Sequence, residues 1–253
     1  MLATERQQII LAELKQRGNV SVKDLKVLLR VSLDTVRRDL EHMEGMGQLL
    51  RVHGGAVIKD DSVTNRDFTL RKVAQLEQKQ QLAANAMAFV KENQAISLNA
   101  GTTNIEVARQ LAAHFERLTV ITNSIKVAEI LAVKSGFHVI VLGGVLNHDE
   151  FSLYGGSIQQ EISKFNIDVA FISINAISLD KGLTDFRQGE SEVIQVMIQN
   201  AVKRIVVADS SKFETVSYLN ICGFDEIDTI VTDIELDLGL RLQYEGRGIQ
   251  IIQ

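Results

Sequence analysis

The segment VSLDTVRRDLEHMEGMG, residues 31–47, has the pattern of a short amphipathic helix that carries two adjacent arginines. The hydroxyl of Ser32 can cap the helix, and Val31 and Val36 have the spacing of a hydrophobic staple. The helical pattern ends at Gly45 and Gly47. The apolar side chains share one face of the helix, which consists of Leu33, Val36, Leu40 and Met43.

The flanking sequence predicts two further helices before this segment and a hairpin after it. Residues 5–17 carry apolar side chains at helical spacing, and Ser21 can cap a second helix that runs to about Leu29. Beyond residue 47, apolar and polar residues alternate over 50–53, and a glycine pair at 54–55 permits a tight turn before a second strand. Residues 1–58 therefore predict three helices followed by a hairpin, or wing.

The third helix is predicted to point its arginines away from the core. A turn of about 100° per residue places Arg38 opposite Val36, with Thr35 on the same outer side and Arg37 on the flank. A helix presented in this way after a short turn enters the major groove of DNA, where its first residues contact base edges and flanking arginines pair with phosphates. With the polar residues of the wing, the predicted DNA-binding set is Ser32, Thr35, Arg37, Arg38, Arg51 and His53.

The alternative is a small helical subdomain whose arginines are solvated or paired with Asp34 or Glu41. The ordered combination of two capped helices, a short turn, a cationic helix and a glycine wing favours DNA. The charge distribution agrees with this interpretation. Residues 1–60 contain ten Lys and Arg against eight Asp and Glu, whereas residues 61–253 contain seventeen against twenty-four. We therefore expect the first part alone to meet a polyanion.

Composition excludes several other classes of protein. With 45% apolar residues in 253, the chain can bury a large and a small core. The single cysteine, Cys222, excludes an intrachain disulfide and a cysteine-rich zinc site, so we expect no metal and no cofactor. The N-terminus does not resemble a signal peptide, and no apolar run approaches the roughly 18 residues of a transmembrane helix. The expected compartment is the cytoplasm.

The second part of the chain has the alternating pattern of an α/β domain. Residues 59–75 include the polar run DDSVTNRD and are predicted to be a linker, and the domain itself spans 76–253. Helical segments are predicted at 76–91, 104–115, 125–133 and 190–202. Between them lie short, near-continuous apolar runs, AISL, LTVIT, FHVIVL, VAFISI, RIVVAD, TIVTD and IQII. This alternation predicts an open, mostly parallel α/β sheet.

The segments RQQIILAELKQRGNVSVKDL, VSLDTVRRDLEHMEGMGQLLRVHGGAV, LNAGTTN, TNS, LGG and DSSKF together resemble the DeoR family of bacterial transcriptional regulators. The resemblance covers nearly the whole chain. It implies an N-terminal winged helix-turn-helix that binds double-stranded operator DNA. It also implies a C-terminal domain, related in fold to ribose-5-phosphate isomerase, that senses a phosphorylated sugar. A two-fold operator needs two DNA-binding heads, so we expect the C-terminal domain to form a homo-oligomer, a dimer or a tetramer. The implied function is a regulator, in most cases a repressor, of a carbohydrate-utilisation operon.

LNAGTTN at 98–104 follows a predicted strand and opens a helix, so its backbone N–H groups and the helix dipole favour an anion. Thr103 and Glu106 also have the spacing of a capping box. Other polar or glycine loops follow later strands and are expected at the same edge of the sheet. By resemblance, the effector-binding residues are Asn99, Gly101, Thr102, Thr103, Asn123, Gly143, Gly144, Asp168 and Lys212. The alternatives are a well-capped turn at 101–103, a solvated Lys212 and an Asp168 that caps a strand.

The presumed pocket departs from the family pattern at four positions. Asn99 replaces the usual aspartate, Ser173 and Ala176 replace common glycines, and Ile194 replaces a frequent lysine. An enzyme of the sugar-phosphate isomerase class is a second hypothesis, because an enediol mechanism needs a carboxylate base. Its candidates are Glu190, Glu192 and Asp168, but the cationic N-terminal part has no role in that chemistry. A protein-binding adaptor fits the charge less well. Regulation of transcription, without catalysis, is the prediction.

Overall fold

The computed structural model describes residues 3–17, 19–46, 48–52, 54–58 and 68–253. His53 and residues 59–67 of the predicted linker lie outside the described residues. The chain divides into two compact units, residues 1–74 and 75–253. In the described parts of the chain, no helix is both long enough and apolar enough to span a bilayer.

The N-terminal unit is a winged helix-turn-helix. Its three strands form one antiparallel sheet in the order β1-β3-β2, which packs beside three helices. The second and third helices form the helix-turn-helix, and the first helix supports this motif. The elements are α1 (Ala3–Arg17), β1 (Asn19–Ser21), α2 (Val22–Leu29), α3 (Leu33–Gly45), β2 (Leu49–Val52) and β3 (Gly55–Ile58).

The predicted helices and wing are present, with one strand that the sequence did not indicate. The strand β1 has three residues, too few for a periodic pattern, and it exists through its pairing with β3. This pairing explains Gly55, because a Cβ at that position would overlap the carbonyl oxygen of Val20. Leu33 was predicted on the apolar face of α3 but is 36% exposed, since it is the first residue of the helix. The buried core consists of Ile10, Leu14, Val20, Leu25, Leu29, Val36, Leu40, Met43, Leu49 and Ala56.

A charged pair joins α1 to α3. Arg6 donates two hydrogen bonds to Asp39, from Nε to Oδ2 at 2.6 Å and from Nη2 to Oδ1 at 2.8 Å. Asp39 is 6% exposed, and its hydrogen bond with Arg6 raises the pKa of the guanidinium. Sequence periodicity gave no sign of this pair, because the two residues are 33 positions apart.

The predicted linker, residues 59–75, is not wholly irregular. Residues Phe68–Val73 form a helix, α4, whose Phe68 and Leu70 are buried, and the guanidinium of Arg71 lies 5.7 Å from the centre of the Phe68 ring. Residues 68–73 of the predicted linker are therefore helical rather than irregular. The run has only six residues, fewer than two helical turns, so its apolar spacing is not distinctive.

The C-terminal unit contains a seven-stranded parallel sheet in the order β15-β14-β12-β9-β4-β5-β6. Each of the seven apolar runs in the sequence forms one of these strands, so the predicted open parallel sheet is confirmed. The strands are β4 (Ala95–Leu98), β5 (Thr119–Thr122), β6 (His138–Val141), β9 (Ile167–Ser173), β12 (Ala201–Val207), β14 (Thr229–Val231) and β15 (Gln250–Ile252).

Helices cover both faces of this sheet. The two core clusters of the unit contain alternate residues of the same strands, as expected where successive side chains point to opposite faces. A short 3-10 helix at Met87–Phe89 continues the first helix of the unit. The helices are α5 (Leu76–Ala86), α6 (Thr102–His114), α7 (Ile125–Leu131), α8 (Gly156–Ile162), α9 (Gln188–Gln199) and α10 (Leu238–Glu245).

Two small antiparallel sheets extend beyond the parallel sheet, and the sequence did not predict them. One is a hairpin of β7 (Val145–Asn147) and β8 (Ser152–Tyr154). The other joins β10 (Ala176–Ser178), β11 (Gly182–Asp185) and β13 (Leu219–Cys222). Each of these strands has three or four residues, too few for a clear period. The helix predicted over 190–202 ends at Gln199, because β12 begins at Ala201.

Replacing Arg6 by Ala is expected to destabilise the N-terminal unit, because Asp39 then remains buried without its cation. The expected loss is about 1.5–3 kcal/mol in the free energy of unfolding, the range for hydrogen bonds to charged groups. Arg37→Ala is the matched control, since its ion pair with Asp34 at 3.5 Å is exposed on both sides. Urea denaturation of the full chain, followed by hydrogen exchange of α1 and α3, measures the difference. Equal stability of the two variants would contradict the role of the pair.

Candidate nucleic-acid interface and effector site

The recognition helix α3 begins with a capped turn. Ser32 Oγ accepts a hydrogen bond from the backbone N–H of Thr35 at 3.1 Å, and the hydroxyls of the two residues lie 2.8 Å apart. Both side chains thus stabilise the first turn, which is the part of a recognition helix that meets base edges. The same cap recurs in α2, where Ser21 Oγ accepts from the N–H of Asp24 at 3.0 Å.

The two adjacent arginines are exposed on α3, as the helical spacing predicts. Arg37 pairs with Asp34, with 3.5 Å between Nη1 and Oδ1, and its side chain is 64% exposed. Within the residues that the structure describes, the exposed guanidinium of Arg38 has no ion-pair partner. An exposed ion pair such as that of Arg37 is weak, and Arg38 has none in the described residues. Both cations are therefore available to an external polyanion.

The wing is tied to the end of α3 through Arg51. Its backbone N–H donates to Glu44 Oε1 at 2.8 Å, and its guanidinium Nη1 lies 3.4 Å from Glu41 Oε1. Arg51 therefore connects the wing to the helix, while its side chain remains 39% exposed. His53, the other predicted wing contact, lies outside the described residues.

In the C-terminal unit, the loop after β4 opens helix α6 at the carboxyl edge of the sheet. Gly101 is the N-cap residue, and no side chain caps the helix. Thr102, Thr103 and Asn104 are all buried, yet within the described residues nothing accepts a hydrogen bond from their backbone N–H groups. The predicted capping box of Thr103 with Glu106 is wrong, because the helix begins earlier. Buried, uncapped N–H groups with the helix dipole favour an anion.

The side chain of Asn99 supports this loop through hydrogen bonds to its backbone. The amide is fully buried and donates from Nδ2 to the carbonyl oxygens of Ala100 at 3.0 Å and Ser173 at 2.9 Å. Its Oδ1 accepts from the backbone N–H of Ser173 at 2.8 Å and from Asn104 Nδ2 at 3.0 Å. Both amide hydrogens of Asn99 are thus used inside the chain. The amide that replaces the family's aspartate joins the ends of β4 and β9.

Arg187 holds the same two carbonyl groups from the other side. Its Nη1 donates to the carbonyl oxygen of Ala100 at 2.6 Å, and its Nη2 to that of Ser173 at 3.3 Å. Asp185 accepts from Nε at 2.9 Å and from Nη2 at 2.6 Å, and Glu150 lies 3.9 Å from Nη1. Burial lowers the pKa of Arg187, but the charges of these carboxylates outweigh it, so the pKa lies above its ordinary value.

Asn123 completes the support of the loop. Its Oδ1 accepts the backbone N–H of Ala100 at 2.9 Å, and its Nδ2 donates to both carboxylate oxygens of Glu190, at 3.2 and 3.0 Å. Glu190 is 1% exposed, and burial raises its pKa, although Arg187 and the bond from Asn123 act in the opposite direction. The sequence analysis missed Arg187, Asp185 and Glu150. An arginine flanked by acids in DFRQGE was the only available signal.

The remaining predicted effector residues do not all converge. Lys212 ends a short 3-10 turn after β12, and Gly143 and Gly144 follow β6, so all three lie at the carboxyl edge. Asp168 lies at the start of β9, where its Oδ2 accepts the N–H of Ala95 at 2.8 Å. The prediction that Asp168 lines the site is wrong, because five residues of strand, about 17 Å, separate it from that edge.

The carboxylates proposed for an isomerase do not form a catalytic group. Asp168 is at the opposite edge of the sheet, Glu190 is buried against Asn123, and exposed Glu192 accepts a bond from Gln159 at 3.0 Å. Among the described residues, no group of three or more His, Cys, Asp or Glu side chains is arranged to hold a metal ion. The winged unit and the sheet domain define instead a DNA-binding transcriptional regulator with a sensor domain.

Comparison with known proteins identifies the family. Residues 6–62 match the model of the DeoR-like helix-turn-helix domain, and residues 74–234 match that of the DeoR C terminal sensor domain. The chain belongs to the DeoR family of transcriptional regulators. It is 31% identical to the HTH-type transcriptional regulator GolR of Listeria innocua, over 99% of this chain and 98% of that protein.

Two further comparisons place the chain among known proteins. It is 32% identical to the glycerol-3-phosphate regulon repressor of Escherichia coli, over 92% of each chain. Part of the fold is similar to ribose 5-phosphate isomerase A from Neisseria gonorrhoeae, with 20% identity, coverage of 56% and 55% of the two chains, and a TM-score of 0.42. The two regulators carry names of transcriptional regulation rather than of enzymes.

Stability is expected to depend on pH through Glu190. Burial raises the pKa of Glu190 in the folded state, so the protonated carboxyl favours folding at pH values below its pKa in the unfolded chain. This contribution to the free energy of unfolding is lost as the pH rises through the pKa of the folded state. Glu190→Gln should therefore gain stability relative to the parent chain as the pH rises above 4.5, the ordinary value for glutamate. Denaturant unfolding at a series of pH values measures this difference. Exposed Glu192→Gln is the control, and a pH-independent difference for Glu190→Gln would contradict the assignment.

Proposed function

We propose that this regulator represses a carbohydrate-utilisation operon and that a phosphorylated sugar releases it from its operator. The observation that carries the effector site is the N-terminus of α6, where residues 102–104 are buried and their backbone N–H groups have no acceptor in the described chain. An anion at this position gains the hydrogen bonds and the helix dipole together. The name of the Escherichia coli relative, a glycerol-3-phosphate regulon repressor, supports a phosphate ester as effector.

The proposed effector residues share the carboxyl edge of the sheet. Thr102 and Thr103 lie in the first turn of α6, Gly101 occupies its N-cap position, and Lys212 lies two strands away. A Cβ at Gly101 would lie 2.7 Å from the Cβ of Ser173, so a larger residue there disturbs the loop directly. Asn99 and Asn123 support the loop, and the glycines after β6, Gly143 and Gly144, are the outer members of the set.

For DNA binding, we propose that the first turn of α3 contacts base edges and that the arginines extend the contact to phosphates. The supporting observations are the capped first turn and the exposure of both arginines. We propose that the wing makes the second contact, with the neighbouring DNA backbone. The proposed set is Ser32, Thr35, Arg37, Arg38, Arg51 and His53.

A homo-oligomer is part of the same proposal. One winged unit makes a small interface with DNA, and specific affinity usually needs two half-sites related by a two-fold axis. We propose that the C-terminal unit supplies this association, with residues 1–58 as the DNA-binding domain and residues 76–253 as the sensing and oligomerisation domain. A ligand that binds one arrangement of the oligomer more tightly shifts the population toward release. The proposed location is the cytoplasm, where operator DNA is accessible.

The two arginines are expected to differ when each is replaced by alanine. Loss of Arg38 should cost about 1–3 kcal/mol of operator affinity and relax the preference at one base pair, because a base contact is lost. Loss of Arg37 should weaken all sequences alike and reduce the salt slope by about one, because a phosphate contact is lost. Binding to a panel of single-base operator variants at several salt concentrations tests both. Equal, sequence-independent effects would overturn the assignment of roles.

Lys212→Ala is expected to reduce the effector response without changing operator affinity. Removing a charge-assisted bond to phosphate should cost about 1.5–3 kcal/mol of effector affinity, or a tenfold to hundredfold higher concentration for release. The measurement is a titration of operator release with sugar phosphates. Lys203→Ala is the matched control, because this exposed lysine lies near the start of β12, at the opposite edge of the sheet. Identical release by both variants and the parent would place the effector site elsewhere.

A further inference from the structure

The outer face of α10 is apolar and exposed to solvent. On this face, Leu238 and Leu242 are 65% and 57% exposed, and residues four positions apart are neighbours on a helix surface. The inner face is apolar as well, since Leu240 and Tyr244 pack into a core cluster of the sheet domain. A helix that is apolar on both faces is expected to be buried on both. Within the described residues, the chain covers only the inner face of α10.

Charged side chains border this outer face along one side and at both ends. Along the side, Arg241 Nε and Glu245 Oε1 form an ion pair of 2.8 Å. Before the helix, exposed Glu235 accepts a hydrogen bond from the uncharged Gln78 at 2.8 Å. After the helix, Arg247 is exposed and has no ion-pair partner among the residues that the structure describes. An apolar centre with a polar border is the composition of a protein interface.

The opposite charges at the two ends of α10 are too far apart to pair within one copy of the chain. The helix has eight residues and is therefore about 12 Å long, and Glu235 and Arg247 lie beyond its opposite ends. A second copy related by a two-fold axis presents the same surface in the reverse direction. Two antiparallel copies of α10 therefore place the acidic end of each helix beside the basic end of the other.

The spacing of these residues along the helix fits such a two-fold contact. With the axis at the level of Leu240, Leu238 of one copy lies opposite Leu242 of the other. Arg247 then lies within two positions of the level of Glu235 in the other copy, about 3 Å along the helix axis, which a long arginine side chain can span. The same axis thus brings the exposed leucines together and pairs the charges at both ends.

We propose that α10 is a two-fold interface at which a second copy of this chain binds the C-terminal domain. Leu238 and Leu242 form its centre, and Glu235 of each copy pairs with Arg247 of the other at its ends. The partner is a second copy because the charges of this surface are complementary to the same surface in reverse. This inference rests on the proposed function, which includes a homo-oligomer, and it names the surface that forms it.

The test measures the mass of the full chain by sedimentation velocity over a range of protein concentrations. Leu242→Glu should halve the mass at concentrations where the parent chain stays assembled. Its dissociation constant should rise about thirtyfold or more, as for a residue at the centre of an interface. Val145→Glu is the matched control, because Val145 is 59% exposed and lies on β7, which follows the edge strand β6 at the other end of the sheet. This variant should keep the mass of the parent.

A charge exchange tests the antiparallel arrangement separately. Arg247→Glu should weaken association, because two acidic groups then face each other at each end of the contact. Adding Glu235→Arg to this variant should restore association, since both copies then carry the exchanged pair. Restoration is specific to a contact between copies, because Glu235 and Arg247 lie beyond opposite ends of α10 within one copy.

Thermal unfolding of each variant reports on folding, and Leu242→Ala replaces Leu242→Glu if the latter does not fold. The role of α10 is overturned, and the proposed homo-oligomer stands, if the parent is an oligomer and the Leu242 variant keeps its mass. The same conclusion follows if the double variant associates as weakly as Arg247→Glu. If the parent chain is a monomer at every concentration, both the interface and the proposed homo-oligomer are overturned.

Discussion

The peptide groups of Ala100 are held from three directions, and the proposed effector site depends on this restraint. Asn123 accepts the N–H, while Asn99 and Arg187 both donate to the carbonyl oxygen. The next residue, Gly101, is the N-cap of α6, so these bonds fix where the first turn of the helix points its N–H groups. A binding site made of backbone donors needs such support, because its geometry cannot be adjusted by side-chain rotation.

The support has an electrostatic cost that the surrounding residues offset. A guanidinium buried at the sheet edge is tolerated only when it is paired and hydrogen-bonded, and Arg187 has Asp185 and Glu150 beside it. Of the departures from the family pattern, Asn99 and Ser173 belong to the same arrangement. Asn99, as an amide, can donate to the carbonyl of Ser173, which a carboxylate cannot do. Ile194, where a lysine is frequent in the family, is fully buried in the apolar core.

The sequence VRRDL in α3 divides its charges between two environments. Arg37 and Arg38 are exposed, whereas the next residue, Asp39, is buried and bound to Arg6 of α1. A helix turns about 100° per residue, so adjacent residues reach opposite environments within one turn. The same five residues thus present cations to solvent and fix the recognition helix to its support. The polar residues of the motif therefore have structural roles in addition to the DNA contacts proposed for the arginines.

Periodicity and capping residues in the sequence determined the three N-terminal helices, the wing and the seven parallel strands, because local patterns reflect which face of an element is buried. The placement of the loop at 101–103 at the carboxyl edge followed from strand order along the chain. Only the tertiary structure decided that Asp168 lies at the opposite edge, that residues 68–73 are helical, and that Arg187 lies beside Ala100. Arg187 and Ala100 are 87 positions apart, and contacts at that separation depend on how strands are ordered and packed, which local sequence does not encode.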